Sequence, residues 1–152
     1  MSKINCFIPY SIPGDREEFL VELNSHALVN RIYLMGAGAP AAIPDGCLHL
    51  RTGGQYSTDT IKKIADHSTG VALTMLVTSE TMISFGSLAL ERFVQVAEET
   101  GAGLVYSDYM DVEEGNLLSH PVIDYQPGSL RDDFEFGPVL MMSSECLIAA
   151  AE

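Results

Sequence analysis

The sequence predicts a three-layer α/β/α fold, in which a mostly parallel sheet is covered by helices on both faces. Short apolar runs alternate with amphipathic segments through residues 3–112, the order that produces parallel strands joined by right-handed crossovers. One run, GVALTMLVT at 70–78, is almost continuously apolar, as expected of a central strand buried on both faces. At 152 residues the chain suits a single domain, 1–152, with a sizeable core.

The individual elements are predicted from the period of their apolar residues. β-rich runs place strands at 3–9, 29–36, 46–54, 70–78 and 104–112. Apolar residues at spacings of three and four place helices at 17–28, 58–68 and 84–103. Ser57 or Thr58 is the expected cap of the second helix, and Gly101 ends the third. The buried face of that third helix is expected to be Leu90, Phe93, Val94 and Ala97.

The pattern weakens after Gly115. It is consistent with a strand at 119–125, a turn at 126–128 and a further apolar run at 138–142. SSECLIAAAE then reads as a helix, capped by Ser143 or Ser144, that stops after about two turns without a C-cap. We therefore expect the chain to be part of a longer protein, truncated at its C-terminus.

Composition excludes several classes of partner. Eight Lys and Arg against 21 Asp and Glu give a net charge of −13, which repels nucleic acid and anionic membranes. The three cysteines, Cys6, Cys47 and Cys146, are widely spaced in apolar runs, so we expect buried free thiols rather than a zinc site or disulfides. No segment approaches a signal peptide or the roughly 20 apolar residues of a transmembrane helix. A cytoplasmic protein is the expectation.

Candidate sites lie where the predicted parallel strands end, after Pro9, Gly36, Arg51, Val77 and Tyr106. GAGA at 36–39 favours a plain turn over a dinucleotide site, because a third glycine is missing and prolines follow. Ser107, Asp108 and His120 match no hydrolase motif, so a chance grouping is favoured over a catalytic triad.

Four carboxylates follow Tyr106 within a short stretch: Asp108, Asp111, Glu113 and Glu114. Asp108 and Asp111 could share Mg²⁺ or Mn²⁺ with a nucleotide diphosphate, since hard cations take oxygen ligands. The sequence Glu-Glu-Gly-Asn is also typical of a solvated hairpin on an acidic protein, and the residues favour that hairpin.

The run TGVALTMLVTSETMISFGSLALERFVQVAEETGAGLVYSDYMDVEEG, with CFIPYS before it and SHPVIDYQPGSLRDDFEFGPVLMMSSECL after it, resembles family 2 glycosyltransferases of the GT-A fold. The resemblance implies that Pro9, Tyr10 and Ser11 lie near a nucleotide base and that Arg51 lies near its diphosphate. It places the metal motif at Thr78–Thr81, where Glu80 is the one acid, and gives Asp108 a supporting role. It also puts Gly36 where the family has a base-contacting aspartate.

The resemblance implies transfer of a sugar from a nucleotide-diphosphate sugar to the hydroxyl of a saccharide or lipid-linked acceptor. Mg²⁺ or Mn²⁺ is the implied cofactor, but it is in doubt because the Asp-x-Asp motif is missing. The family's carboxylate base lies downstream, so no catalytic residue is assigned and the chain alone is expected to be inactive. The alternative is a non-catalytic α/β module for interaction or nucleotide-sugar binding.

Overall fold

The computed structural model describes residues 1–10, 16–54, 56–131 and 133–152. Within these residues the chain forms eight strands and four helices. In chain order they are β1 (Ile4–Pro9), α1 (Glu17–Ser25), β2 (Val29–Gly36), β3 (Cys47–Arg51), α2 (Thr58–His67), β4 (Leu73–Val77), α3 (Ala89–Thr100), β5 (Leu104–Val105), β6 (Tyr109–Glu113), β7 (Asn116–His120), β8 (Val139–Ser143) and α4 (Ser144–Ala151).

Six of the strands form one mostly parallel sheet in the order β3-β2-β1-β4-β8-β5. Strands β3, β2, β1 and β4 pair in parallel, and β8 runs antiparallel to both of its neighbours. The chain first builds outward from β1 to β3 and then returns to place β4 on the other side of β1. The strand order therefore reverses between β1 and β4, and the carboxyl ends of both strands meet at that point. The predicted central position of β4 is confirmed.

Helices cover both faces of this sheet, as predicted. Alternate strand residues such as Ile8, Leu34 and Met75 pack with α1 and α3 on one face. Their neighbours Phe7 and Tyr33 pack with α2 and α4 on the other. This alternation follows from the two-residue period of a strand and buries apolar side chains in two separate clusters.

The helix ends explain why these segments are helical. The Ser57 hydroxyl accepts a hydrogen bond from the Thr60 amide at 3.2 Å and so caps α2. Gly101 closes α3 in the left-handed conformation with φ 65°, which glycine adopts without strain. Ser143 caps α4 through the Cys146 amide. The buried residues of α3 are the expected ones, Leu90, Phe93, Val94 and Ala97.

The strands expected at 46–54 and 70–78 are shorter, Cys47–Arg51 and Leu73–Val77, and two later predicted strands differ more. The strand expected at 104–112 ends after Val105, and β6 begins separately at Tyr109 to pair with β7 in a two-stranded hairpin. The strand expected at 119–125 ends at His120, because Pro121 has no amide hydrogen to continue the ladder. The hairpin turns at Glu114 and Gly115, both with positive φ, as a tight two-residue turn requires.

The hairpin contains three of the four acidic residues that follow Tyr106. Asp111, Glu113 and Glu114 are exposed on it, which confirms a solvated hairpin rather than a buried ligand cluster.

The first helix is also shorter than predicted, because His26 is extended and ends α1 at Ser25.

The prediction of three buried thiols is wrong for one of them. All three cysteines are free, and Cys6 and Cys47 are buried, but Cys146 is exposed. The reason lies in α4, which buries Ser144 and Leu147 at a spacing of three and leaves Cys146 outside that buried face. No helix in the described ranges has the length and apolar character needed to cross a membrane.

Candidate functional site

A cleft of about 610 Å³ lies at the carboxyl ends of the parallel strands, where the strand order reverses. Its walls come from the ends of β1, β2 and β3 and from the loop after β4. The residues that line it are Pro9, Tyr10, Met35, Gly36, Ala37, Gly38, Ala39, Pro40, Thr52, Gly53, Gly54 and Glu80. Ligands of open α/β sheets bind at this position, outside the carboxyl ends of strands beside a reversal of strand order.

Two backbone hydrogen bonds tie the cleft walls together. The Tyr10 amide donates to the Met35 carbonyl at 2.9 Å, and the Thr52 amide donates to the Gly36 carbonyl at 3.0 Å. They extend the pairing of β1, β2 and β3 by one residue into the loops. The walls are therefore fixed by backbone geometry before any ligand binds.

The Tyr10 backbone approaches position 36 closely, which explains why this position is glycine. A β-carbon added to Gly36 would lie 3.2 Å from the Tyr10 carbonyl oxygen, which is shorter than an ordinary contact. A larger residue here would push the Tyr10 backbone away from β2. Glycine, rather than the aspartate that the resemblance implies at this position, is the residue that this packing favours.

The loop after β4 presents one carboxylate to the cleft. The Thr78 hydroxyl donates to the Gly137 carbonyl at 3.1 Å, and the hydroxyls of Ser79 and Thr81 are 2.7 Å apart. The Ser79 hydroxyl also accepts from the Thr81 amide at 3.1 Å. These hydroxyls are engaged within the protein, and exposed Glu80 is the acidic residue of the loop that lines the cleft.

Arg16, which sequence reasoning did not single out, lies against the same loop. Its side chain is buried, with 5% of its surface exposed. Nη2 donates to the Ser79 carbonyl at 2.7 Å, while buried Nη1 has no hydrogen-bond partner among the described residues. Burial lowers the pKa of Arg16, and the negative charge of Glu80 acts against that lowering. The guanidinium therefore lies beside the loop that carries Glu80.

The described residues do not fit a resident Mg²⁺ or Mn²⁺. Within the described ranges, no three His, Cys, Asp or Glu side chains are grouped as a metal site would need. Asp108, the second weak candidate, accepts a hydrogen bond from the Val122 amide at 2.8 Å and does not line the cleft. A hard divalent cation takes several oxygen ligands, and Glu80 alone offers one carboxylate.

The structure brings four of the predicted site residues together. Pro9, Tyr10, Gly36 and Glu80 line the same cleft. Arg51 ends β3 next to the lining residue Thr52, but its side chain is exposed and is not part of the lining. Ser11 lies outside the described residues.

Three features of the site were missed from the sequence. Thr52, Gly53 and Gly54 line the cleft. Two glycines directly after a strand indicate that a ligand or another backbone can approach closely, so the sequence did contain a signal for them. Tyr56 is 75% exposed, and its hydroxyl donates to the Thr78 carbonyl at 3.4 Å, which links the loop after β3 to the end of β4. The role of Arg16 had no local sequence signal, because it depends on a loop 63 residues away.

The arrangement can hold a small ligand between a glycine-rich backbone wall and exposed Glu80, and buried Arg16 is bonded to the residue before Glu80. No protein-family model matches the chain, and no curated protein is significantly similar to it.

Proposed function

We propose that the cleft binds a nucleotide-diphosphate sugar and that the chain is the donor-binding part of a GT-A glycosyltransferase of family 2 type. One observation carries this proposal. Pro9, Tyr10, Gly36 and Glu80, which the resemblance assigned from three separate strand ends, line one cleft. A mostly parallel sheet with helices on both faces is also what a GT-A fold requires.

The size and chemistry of the cleft support a ligand of this class. Small-molecule sites typically enclose about 300–1,000 Å³, and 610 Å³ falls within that range. Pro9 and Met35 give apolar contact, while Thr52 and Glu80 are polar groups that can orient a ligand. The glycines at 36, 38, 53 and 54 allow a ligand to approach the backbone closely.

In the proposed reaction, an acceptor hydroxyl attacks the anomeric carbon of the donor sugar. The bond from that carbon to the diphosphate oxygen breaks, and the leaving diphosphate takes the electron pair. The hydroxyl proton goes to a general base, to which we assign no residue of this chain. The contribution of the described residues is to bind the donor and to stabilise charge on the leaving diphosphate.

The proposal is tested by isothermal titration of the chain with UDP-, GDP-, ADP- and CDP-linked sugars. We expect at least one of them to bind, and we expect Gly36→Leu to abolish binding because the added side chain fills the cleft wall. Gly86→Leu is the matched control, since Gly86 does not line the cleft and has no atom within 4 Å of an added β-carbon. Equal binding by the two variants, or no binding by the unmodified chain, refutes the proposal.

A non-catalytic interaction module is the second candidate, and the hairpin β6–β7 favours it. Met110, Val112 and Leu117 are exposed, and the register Val112↔Leu117 places them on one face of the hairpin. Exposed apolar residues on one face are typical of a contact surface. If this candidate is correct, no nucleotide sugar binds in the titration above.

A further inference from the structure

We propose that Arg16 supplies the positive charge that holds the donor's diphosphate, in place of a divalent cation. This inference rests on the proposed function, since it specifies how that site binds its anionic ligand. It concerns a residue outside the family motifs and follows from the geometry of the loop after β4.

A diphosphate in this cleft needs a nearby positive charge. The chain carries a net charge of −13, and the residues that line the cleft include Glu80 but no Lys or Arg. Neither Arg51 nor Arg16 is part of the lining, but Arg51 is exposed and its charge is screened by water, whereas Arg16 is buried. An anionic ligand would therefore meet repulsion unless a metal ion or a buried cation compensates for Glu80.

A metal ion is a poor candidate for that role. Glu80 is the one carboxylate on the loop that lines the cleft, and the neighbouring hydroxyls already bond to one another or to a carbonyl. Such a site offers too little negative charge and too few free oxygens to offset the dehydration of Mg²⁺ or Mn²⁺.

Arg16 has the properties that the role requires. Its Nη2 is fixed by the Ser79 carbonyl at 2.7 Å, so the guanidinium is held against the loop whose next residue, Glu80, lines the cleft. Burial in a medium of low dielectric strengthens its attraction for an anion. The fork of a guanidinium also matches phosphate oxygens well.

The unpartnered Nη1 is the second observation that points to a ligand. A buried donor without a partner has lost its hydrogen bonds to water without replacement, and this costs more when the group is charged, so such a group calls for an explanation. A phosphate oxygen would provide the missing acceptor. Nη1 is buried, so the groups that cover it must move for a phosphate oxygen to reach it.

Calorimetric titration with UDP, GDP, ADP and CDP, and with the corresponding nucleosides, tests the inference. Each titration is run on the full chain with EDTA and again with MnCl₂. We expect the same diphosphate affinity in both buffers. We expect Arg16→Gln to lower that affinity by about tenfold or more, because one charge-assisted hydrogen bond is lost. Nucleoside binding should be unchanged. Arg16→Lys should retain part of the affinity because it keeps the charge.

Glu80→Gln gives an independent test that does not depend on the folding of the Arg16 variants. If Arg16 is the cation, removing the adjacent negative charge strengthens diphosphate binding. If Glu80 holds a metal ion, the same change weakens it.

Dependence on Mn²⁺, with loss of binding in EDTA or in Glu80→Gln, overturns the role of Arg16 and leaves the proposed function intact. Equal loss of nucleoside and diphosphate affinity in Arg16→Gln also overturns it, because a purely structural role has that signature. Failure of every nucleotide and nucleotide sugar to bind the unmodified chain overturns both proposals.

Discussion

Substitution of Gly36 by alanine measures how tightly the cleft wall is packed. The new β-carbon would lie 3.2 Å from the Tyr10 carbonyl oxygen, whereas ordinary contacts are 3.4–4 Å, so the backbone must move by a few tenths of an ångström. Overpacking of this kind destabilises a fold by about 1–3 kcal/mol. Loss of glycine's freedom in the unfolded chain offsets about 0.4–1 kcal/mol of that. We expect a net destabilisation of about 1 kcal/mol, the difference between those two terms.

Differential scanning calorimetry is the assay, with Gly38→Ala as the matched control. For a chain of this size, 1 kcal/mol lowers Tm by about 2–4 °C. A β-carbon at Gly38 meets no atom within 4 Å although Gly38 lines the same cleft, so its Tm should be unchanged or slightly raised. If the two variants have the same Tm, the close approach of the Tyr10 carbonyl does not explain the glycine.

Two further predictions concern the core. Thr74 Oγ1 and Ser144 Oγ are buried and 2.8 Å apart, so Thr74→Val should lower the free energy of unfolding in urea by about 1–3 kcal/mol. The double variant with Ser144→Ala should be destabilised by less than the sum of the singles, and strict additivity would contradict this pairing. Burial raises the pKa of the Cys6 thiol from 9.0 to about 12. Between these two pH values the thiol is ionised in the unfolded chain but not in the folded one, so the free energy of unfolding should fall by about 1.4 kcal/mol per pH unit. Cys6→Ala should flatten that slope in urea unfolding at each pH, and an unchanged slope would contradict the assignment.

The sequence predicted the parallel core of the fold because its signals are local. Continuous apolar runs marked β1, β2 and β4, and the apolar period of α3 identified all four of its buried residues. It did not predict that β8 inserts antiparallel between β4 and β5, because strand direction there depends on the long connection that follows the hairpin. The strand predicted at 104–112 was too long for the same reason: β5 ends at Val105, and its partner strand comes from distant sequence.

The site was predictable where it depends on strand ends. The rule that parallel strands end at one edge of the sheet pointed to the segments after Pro9, Gly36 and Val77, and the resemblance singled out Glu80 within the last of them. Arg16 could not be found this way, because its importance comes from burial against Ser79 rather than from its neighbours in sequence. The hydrogen bond between the Ser79 and Thr81 hydroxyls, on either side of Glu80, was also beyond sequence reasoning, since only the fold shows it.

The most direct test of donor binding is an amide chemical-shift map recorded while a nucleotide-diphosphate sugar is added. We expect the largest shifts at Tyr10, Gly36, Thr52 and Glu80, the lining residues from four loops that meet at the reversal of strand order. Shifts confined to the hairpin around Val112, or no shifts at saturating ligand, would contradict the assignment of the cleft as a donor site.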